Sequence, residues 1–236
     1  MVLKMRLANR RSGLEMDHGG RDKTQFDLQG TLRAVLSENS DVPIFDRLLR
    51  RFEAYSDRKV SNLNELRHRD NKCVKGLAWE EFCKWYMLTV QGYREVWLWS
   101  EIPEDIRIQL KLKSRVDNGI DIVARRNPET GWVAVQCKYR KKVMQKVTWT
   151  CLSTFVGLCA VTGPWDAHIV MTNCSGVTRK VPRGEKDKTI AYGTFKKLDR
   201  GDCTSKDEVQ VVGGINAPRS VKTSEEIRAA RLARFG

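Results

Sequence analysis

Three residues in two neighbouring apolar runs are of the types that phosphodiester hydrolysis requires. Asp121 lies near the start of GIDIVA, and Gln136 and Lys138 lie two residues apart in WVAVQCKY. A carboxylate can ligate a divalent cation, and an ammonium can stabilise the negative charge of a phosphate. If the two runs lie side by side, their residue types predict a combined metal and phosphate site.

Two short strands joined by a turn would position these residues. GIDIVA and WVAVQCKY alternate with a period of two, and NPETG between them carries turn-forming residues. The same period places Gln136 and Lys138 on one face, together with Trp132 and Ala134. Asp121 joins that face only if it sits opposite Gln136 or Lys138, so the hypothesis requires that register.

An ordinary edge hairpin with solvated charges is the alternative interpretation of this stretch. Lys138 argues against it, because it ends a nearly continuous apolar run. A buried ammonium without a partner is costly. Asp121 on the neighbouring strand, or a bound phosphate, would supply that partner.

A helix upstream offers a further acid. In GLAWEEFCKWYMLTV the apolar residues recur at helical spacing, and two adjacent glutamates interrupt them. Glu80 lies on the side of Cys83 and Met87, so it borders the interior, whereas Glu81 lies on the side of Lys84. We prefer Glu80 as a site residue; the other interpretation is that either acid is a solvated charge on a packed helix.

These motifs resemble the PD-(D/E)xK nuclease superfamily, in its Mrr-like restriction endonuclease branch. That branch carries G-x-D on one strand, here Gly119 and Asp121, and Q-x-K on the next, here Gln136 and Lys138. Its upstream helix carries G-x-x-aromatic-E, which ends here at Glu80. The resemblance covers roughly residues 72–197 and implies an α/β fold, a restriction-endonuclease-like mixed β-sheet core flanked by helices.

The resemblance also implies the chemistry. Asp121 and Glu80 would hold a magnesium ion, with manganese as an alternative, and Lys138 would position the attacking water. Gln136 stands where most of the superfamily has an acid, and it brings no charge. The implied function is a metal-dependent endonuclease that leaves 5′-phosphate ends on DNA. The alternative is a catalytically silent nuclease-fold module that binds nucleic acid or a ribonucleoprotein.

The positive net charge of the chain favours a polyanionic partner. The net charge is +14 over 236 residues, and counterion release would supply much of the affinity for nucleic acid. A ribosome or an acidic membrane surface could also attract such a chain. The residues that we predict to bind nucleic acid flank the two strands: Arg125, Arg126, Arg140, Lys141, Lys142 and Lys146.

Other features of the sequence concern location and assembly. No apolar run is long enough to span a membrane, and the N-terminus lacks the apolar segment of a secretory signal. Seven cysteines without a CxxC pair indicate reduced thiols in an intracellular protein. One such site cleaves one strand at a time, so cutting both strands would require a homodimer or a larger assembly.

The chain divides into three predicted parts. Residues 1–70 form a basic, partly helical N-terminal extension, with helical patches at TLRAVLSEN and PIFDRLLRRFEAYS. In the second patch, Arg47, Arg50 and Arg51 form either a solvated face or a phosphate-contacting one. Residues 71–198 form the nuclease-like core, in which the helix before AHIVMTN predicts a crossover between parallel strands. Residues 199–236 form a flexible tail that ends in a short helix, SEEIRAARLARFG.

Overall fold

Five strands form a mixed sheet in the part of the chain that the computed structural model describes, residues 26–57, 71–112 and 119–204. Their order in the sheet is the order in the sequence. Strands β1, β2 and β3 pair antiparallel, and β3, β4 and β5 pair parallel. The strands are β1 Glu95–Leu98, β2 Ile122–Arg125, β3 Trp132–Lys138, β4 Trp165–Thr172 and β5 Asp187–Ile190.

Helices cover both faces of this sheet. The helices are α1 Leu28–Ser37, α2 Ile44–Asp57, α3 Asn71–Thr89, α4 Glu104–Gln109, α5 Trp149–Val161, α6 Tyr192–Phe195 and α7 Arg200–Thr204, with a 3₁₀ turn at Trp99–Glu101. The predicted α/β class, a mixed sheet flanked by helices, is therefore confirmed. Helix α5 connects the parallel strands β3 and β4, as its length predicted.

The two faces of β3 belong to different hydrophobic clusters. Val133 and Val135 pack in the cluster that contains α1, α2 and α3, whereas Trp132 and Ala134 pack in the cluster that contains α4 and α5. This separation follows from the period of two in an extended strand. The turn before β3 is fixed by Asn127, whose side-chain oxygen accepts from two backbone N–H groups of the turn.

Helices α1 and α2 are packed into the same hydrophobic cluster as the sheet. Phe45 and Phe52 of α2 contact Phe82 of α3, with ring centroids 5.6 and 6.0 Å apart. The hydroxyl of Tyr192, in α6, donates to Asp46 of α2 at 2.8 Å. The division into residues 1–70, 71–198 and 199–236 stays a prediction. The basic N-terminal segment before residue 26 and the C-terminal helix in SEEIRAARLARFG lie outside the described residues.

The arginines of α2 differ from the solvated face that the sequence suggested. Arg47 is only 7% exposed and donates to the carbonyl oxygens of Val35 and Glu38 at the end of α1. Arg51 pairs with the carboxylate of Glu38. The prediction of a solvated or phosphate-contacting side chain is therefore wrong for Arg47. Its guanidinium instead satisfies carbonyl groups that a helix leaves without partners at its C-terminal end.

Candidate functional site

Backbone hydrogen bonds on both sides fix Asp121 at the entrance to β2. Its N–H donates to the carbonyl of Val135 at 2.9 Å, and its carbonyl accepts from the N–H of Trp99 at 2.8 Å. The chain enters through Gly119, whose φ of +116° suits glycine. A Cβ at Gly119 would lie 3.3 Å from the backbone nitrogen of Phe155 in α5. The close approach of α5 therefore also favours glycine here.

The carboxylate of Asp121 is buried and held by two N–H donors from β3. The side-chain amide of Gln136 donates to Oδ2, and the backbone N–H of Cys137 donates to the same oxygen at 2.5 Å. Asp121 is 4% exposed and Gln136 is 1% exposed. Because Ile122 pairs with Val135, Asp121 comes beside Gln136. The register that the hypothesis required is thus present.

Glu80 lies on α3, one helical turn before Cys83, and α3 packs on the face of the sheet that carries Cys137. Burial raises the pKa of the Cys83 thiol, and the negative charges of Asp121 and Glu80 raise this pKa further. Both carboxylates act in the same direction on the pKa of Cys137. Among the described residues, Glu81 has no such effect on either thiol. These electrostatic effects favour Glu80 over Glu81 as the helical acid on the side of the two thiols.

Two thiols connect α3 to β3. Cys83 and Cys137 are hydrogen-bonded to each other, and both are buried. Cys83 follows Glu80 by one helical turn, and Cys137 lies between Gln136 and Lys138. This contact therefore joins the helix and the strand that carry the candidate residues. Within the described part of the chain, six cysteines are free, as expected for reduced thiols.

Lys138 is the last residue of β3 and is half-buried. Its backbone carbonyl accepts from the hydroxyl of Thr172 in β4 at 2.7 Å. Its ammonium forms no ion pair with an acidic residue in the described ranges, so Asp121 is not the partner that the sequence suggested. Gln136 and Lys138 are two residues apart on the same strand and share a face by alternation.

The basic residues after β3 lie in the connection to α5. The N–H of Arg140 donates to Asn173 Oδ1 and the carbonyl of Arg140 accepts from Asn173 Nδ2, both at 2.7 Å. The guanidinium of Arg140 donates to the thiol of Cys151, in the first turn of α5, at 2.9 Å. Arg140 is therefore anchored, whereas the lysines of this connection are exposed: Lys141, Lys142 and Lys146.

Arg125 and Arg126 lie at the other end of β2, away from Asp121. Arg125 pairs with Glu95 of β1, and its guanidinium lies 4.4 Å from the ring centroid of Trp132. Arg126 donates to the carbonyl of Gln91 at 3.0 Å and lies over the ring of Tyr93. Both arginines have internal partners, so the structure does not bring them together with the other candidates. Their binding to nucleic acid stays a prediction.

Sequence reasoning missed Asn173, which is 1% exposed and fixes Arg140. The signal available was a polar residue directly after the apolar run AHIVMT, at the end of β4. It also missed the contact between Cys83 and Cys137. That contact depends on how α3 packs against the sheet, which no local pattern encodes.

The donors at this site fit a divalent cation with hard character. Asp121 and Glu80 place two negative charges near the buried thiols of Cys83 and Cys137. Carboxylate oxygens are ligands that magnesium and manganese accept. In residues 26–57, 71–112 and 119–204 there is no group of three or more histidines, cysteines or acids suited to a metal. Further ligands would therefore be amide or phosphate oxygens and water.

The mixed sheet thus carries an acid, a glutamine and a lysine at the end of β3 that lies away from the turn. Residues 87–191 match the family model Mrr_cat_2, described as a restriction endonuclease. The match confirms the resemblance to the Mrr-like branch over a little less than half of the chain. It includes Asp121, Gln136 and Lys138 but not Glu80.

One solved structure with a detectable likeness is an ATP-dependent Type ISP restriction-modification enzyme, LlaBIII, bound to DNA. The sequences are 19% identical and the TM-score is 0.41, with 70% of this chain and 10% of that chain covered. This chain therefore spans about a tenth of the length of that enzyme. No curated protein matches the sequence. None of the helices in the described ranges could span a membrane.

Proposed function

We propose that this protein is a metal-dependent endonuclease that hydrolyses phosphodiester bonds of DNA inside the cell. The observation that carries the proposal is the buried carboxylate of Asp121, held by the side-chain amide of Gln136 and by the backbone N–H of Cys137. The match of residues 87–191 to restriction endonucleases supports the same chemistry. We include a homodimer or larger assembly in the proposal, because one site cleaves one strand at a time.

The candidate site residues would have distinct parts in this mechanism. Asp121 and Glu80 would hold magnesium or manganese, which when bound polarises the scissile phosphate and lowers the pKa of a water. Gln136 and the N–H of Cys137 fix Oδ2 of Asp121, so the carboxylate keeps one orientation throughout the reaction. Lys138 would orient the attacking water and stabilise the charge that develops on the phosphate oxygens.

A second candidate function is a nuclease fold that binds nucleic acid without cleaving it. The observation that favours it is Gln136, which is neutral and gives its amide N–H to Asp121. The site then has fewer anionic ligands than a site with two strand acids. In this function the basic residues after β3 would still bind nucleic acid, and Asp121 would be a structural residue.

Cleavage of supercoiled plasmid with added magnesium or manganese tests the first function. We expect the parent protein to nick or linearise the plasmid and Asp121→Asn to lose at least ~100-fold in rate, since it removes the main anionic ligand. Asp105→Asn, an exposed acid on α4, makes the same chemical change away from the site and should cleave like the parent.

Binding of the same plasmid distinguishes the two functions. If neither the parent nor Asp121→Asn cleaves, but both bind DNA in a salt-dependent manner, the second function is correct. Equal cleavage by the parent and Asp121→Asn would contradict the proposed site. Titration calorimetry of magnesium into both proteins gives an independent measurement, because only an intact site shows heat that Asp121→Asn lacks.

A further inference from the structure

The three arginines of α2 have different surroundings. Arg47 is buried against α1, and Arg51 pairs with Glu38. Arg50 is exposed, and its guanidinium forms no hydrogen bond or ion pair within the described part of the chain. Two of the three arginines therefore stabilise the packing of α1 on α2, while the third is available to a partner outside the chain.

Arg50 lies beside the basic residues that follow β3. It shares a surface groove of about 270 Å³ with Lys141, which is also exposed. The two residues are far apart in the sequence, and the packing of α2 on the core brings them together. The groove is lined by Asp46, Leu49, Arg50 and Glu53 of α2 and by Tyr139, Lys141, Val143 and Asn173 of the core.

Asp46, one of the two acids of the groove, has a partner other than Arg50. It accepts the hydroxyl of Tyr192 at 2.8 Å, and Arg50 forms no ion pair in the described residues. Both acids are half-buried, whereas Arg50 and Lys141 are exposed. An approaching polyanion would therefore meet the two cations first, and the acids would disfavour a phosphate deep in the groove.

We propose that Arg50 and Lys141 contact the phosphate backbone of one DNA duplex, so that α2 extends the nucleic-acid surface beyond the family-matched segment. This inference rests on the proposed function, since the duplex is the substrate proposed above. A guanidinium suits phosphate oxygens because its N–H groups can bind two of them at once. Helix α2 lies outside residues 87–191, so this contact is an addition of this chain to the matched part.

The salt dependence of DNA binding tests the inference without any need for cleavage. The dissociation constant of a short fluorescent duplex is measured by anisotropy, without divalent metal, between about 50 and 200 mM salt. Each phosphate contact contributes about 0.9 to the slope of the logarithm of affinity against the logarithm of salt concentration. We expect Arg50→Gln and Lys141→Gln each to lower the slope by about 0.9, and the double variant to lower it by about 1.8.

Two further variants control for charge and for folding. Arg33→Gln removes the same charge from an exposed position on α1 and should keep the parental slope. Arg50→Lys keeps the charge and should restore most of the slope. If Arg50→Gln and Arg33→Gln give the same slope, α2 does not contact DNA and the inference is wrong, while Lys141→Gln still reports on the proposed function. If binding by the parent does not depend on salt, the proposed function and this inference both fail.

Discussion

The two ends of the β2–β3 hairpin carry charged residues of similar type, but these residues have different partners. At the turn end, Arg125 has Glu95 and the ring of Trp132 as partners. At the open end, the carboxylate of Asp121 is buried among N–H donors, and Lys138 has no acidic partner in the described residues. Charges at the turn end pair with each other, and we propose that charges at the open end serve a ligand.

This difference shows why a basic residue near a candidate site is weak evidence for binding. Three of these charged residues, Asp121, Arg125 and Lys138, fall within one short stretch of the sequence. Only the cross-strand neighbours show which partner each of these charges has. Exposed ion pairs contribute little to stability, so the comparison depends on burial and on the identity of the partners.

The substitution Lys138→Gln should have the largest effect on activity. We expect cleavage of plasmid DNA to fall by ~100-fold or more, because the ammonium that stabilises the developing phosphate charge is lost. The melting temperature should stay close to the parental value, since the ammonium has no internal acidic partner in the described residues. The matched change at the turn end is Arg125→Gln, which should cleave at nearly the parental rate. Equal loss of cleavage in both variants would remove the distinction between the two ends.

The substitution Gln136→Glu should change metal binding and stability in opposite directions. The variant would place a second carboxylate against Asp121, where the amide N–H now donates. We expect the metal-free protein to lose about 2 kcal/mol in the free energy of unfolding, because a buried hydrogen bond becomes a repulsion. The affinity for magnesium, measured by titration calorimetry, should rise about tenfold.

Gln109→Glu on α4 controls for the added charge at an exposed position. It should change neither the metal affinity nor the stability of the metal-free protein. If Gln136→Glu binds magnesium no more tightly than the parent, Gln136 does not border the metal site. In that case the hydrogen bond from Gln136 to Asp121 would be purely structural.

Substitution of Arg125 should have a smaller effect, which lowers the free energy of unfolding and leaves the cleavage rate unchanged. Arg125→Gln removes a half-buried ion pair with Glu95 and a cation–π contact with Trp132, which together contribute about 1 kcal/mol. Urea denaturation should show this loss, and Glu95→Gln should show a comparable one. The double variant should lose less than the sum of the two. A decrease in the salt slope of DNA binding for Arg125→Gln would instead support the nucleic-acid role that the sequence predicted.

The arrangement around Asp121 could be predicted from the sequence because it depends on local rules. The period of two in β3, the turn signal in NPETG and the position of Asp121 together restrict the possible registers. The crossover by α5 follows from the length of its apolar stretch. These elements are adjacent in the sequence, so their geometry depends on few long-range contacts.

The surroundings of α2 could not be predicted in the same way. The burial of Arg47, the pairing of Arg51 with Glu38 and the position of Arg50 beside Lys141 depend on how α1 and α2 pack on the core. Three arginines at helical spacing have the same pattern whether they are buried, paired or exposed. Helical periodicity indicates which face is apolar, but it does not identify the partner of each charge on the remaining faces.

The smallest expected effect is a change in the reactivity of Cys151, which reports on the basic connection after β3. Hydrogen bonding with Thr148 and the positive charge of Arg140 hold the pKa of the Cys151 thiol below its ordinary value. Cys151 should therefore be alkylated by iodoacetamide at lower pH than an ordinary cysteine, because the thiolate is the nucleophile. Cys203 is the internal control, since burial raises its pKa to about 11.

Saturation with a DNA duplex should slow the alkylation of Cys151 several-fold, because a phosphate bound by Arg140 covers the thiol and draws the guanidinium away from it. Peptide mass spectrometry at a fixed pH measures both cysteines in one sample. The rate at Cys203, at the far end of the described chain, should not change on addition of DNA. Protection at both cysteines would indicate a general change in the fold, and protection at neither would place the DNA away from Arg140. Protection at Cys151 alone would assign the open end of the hairpin to the substrate.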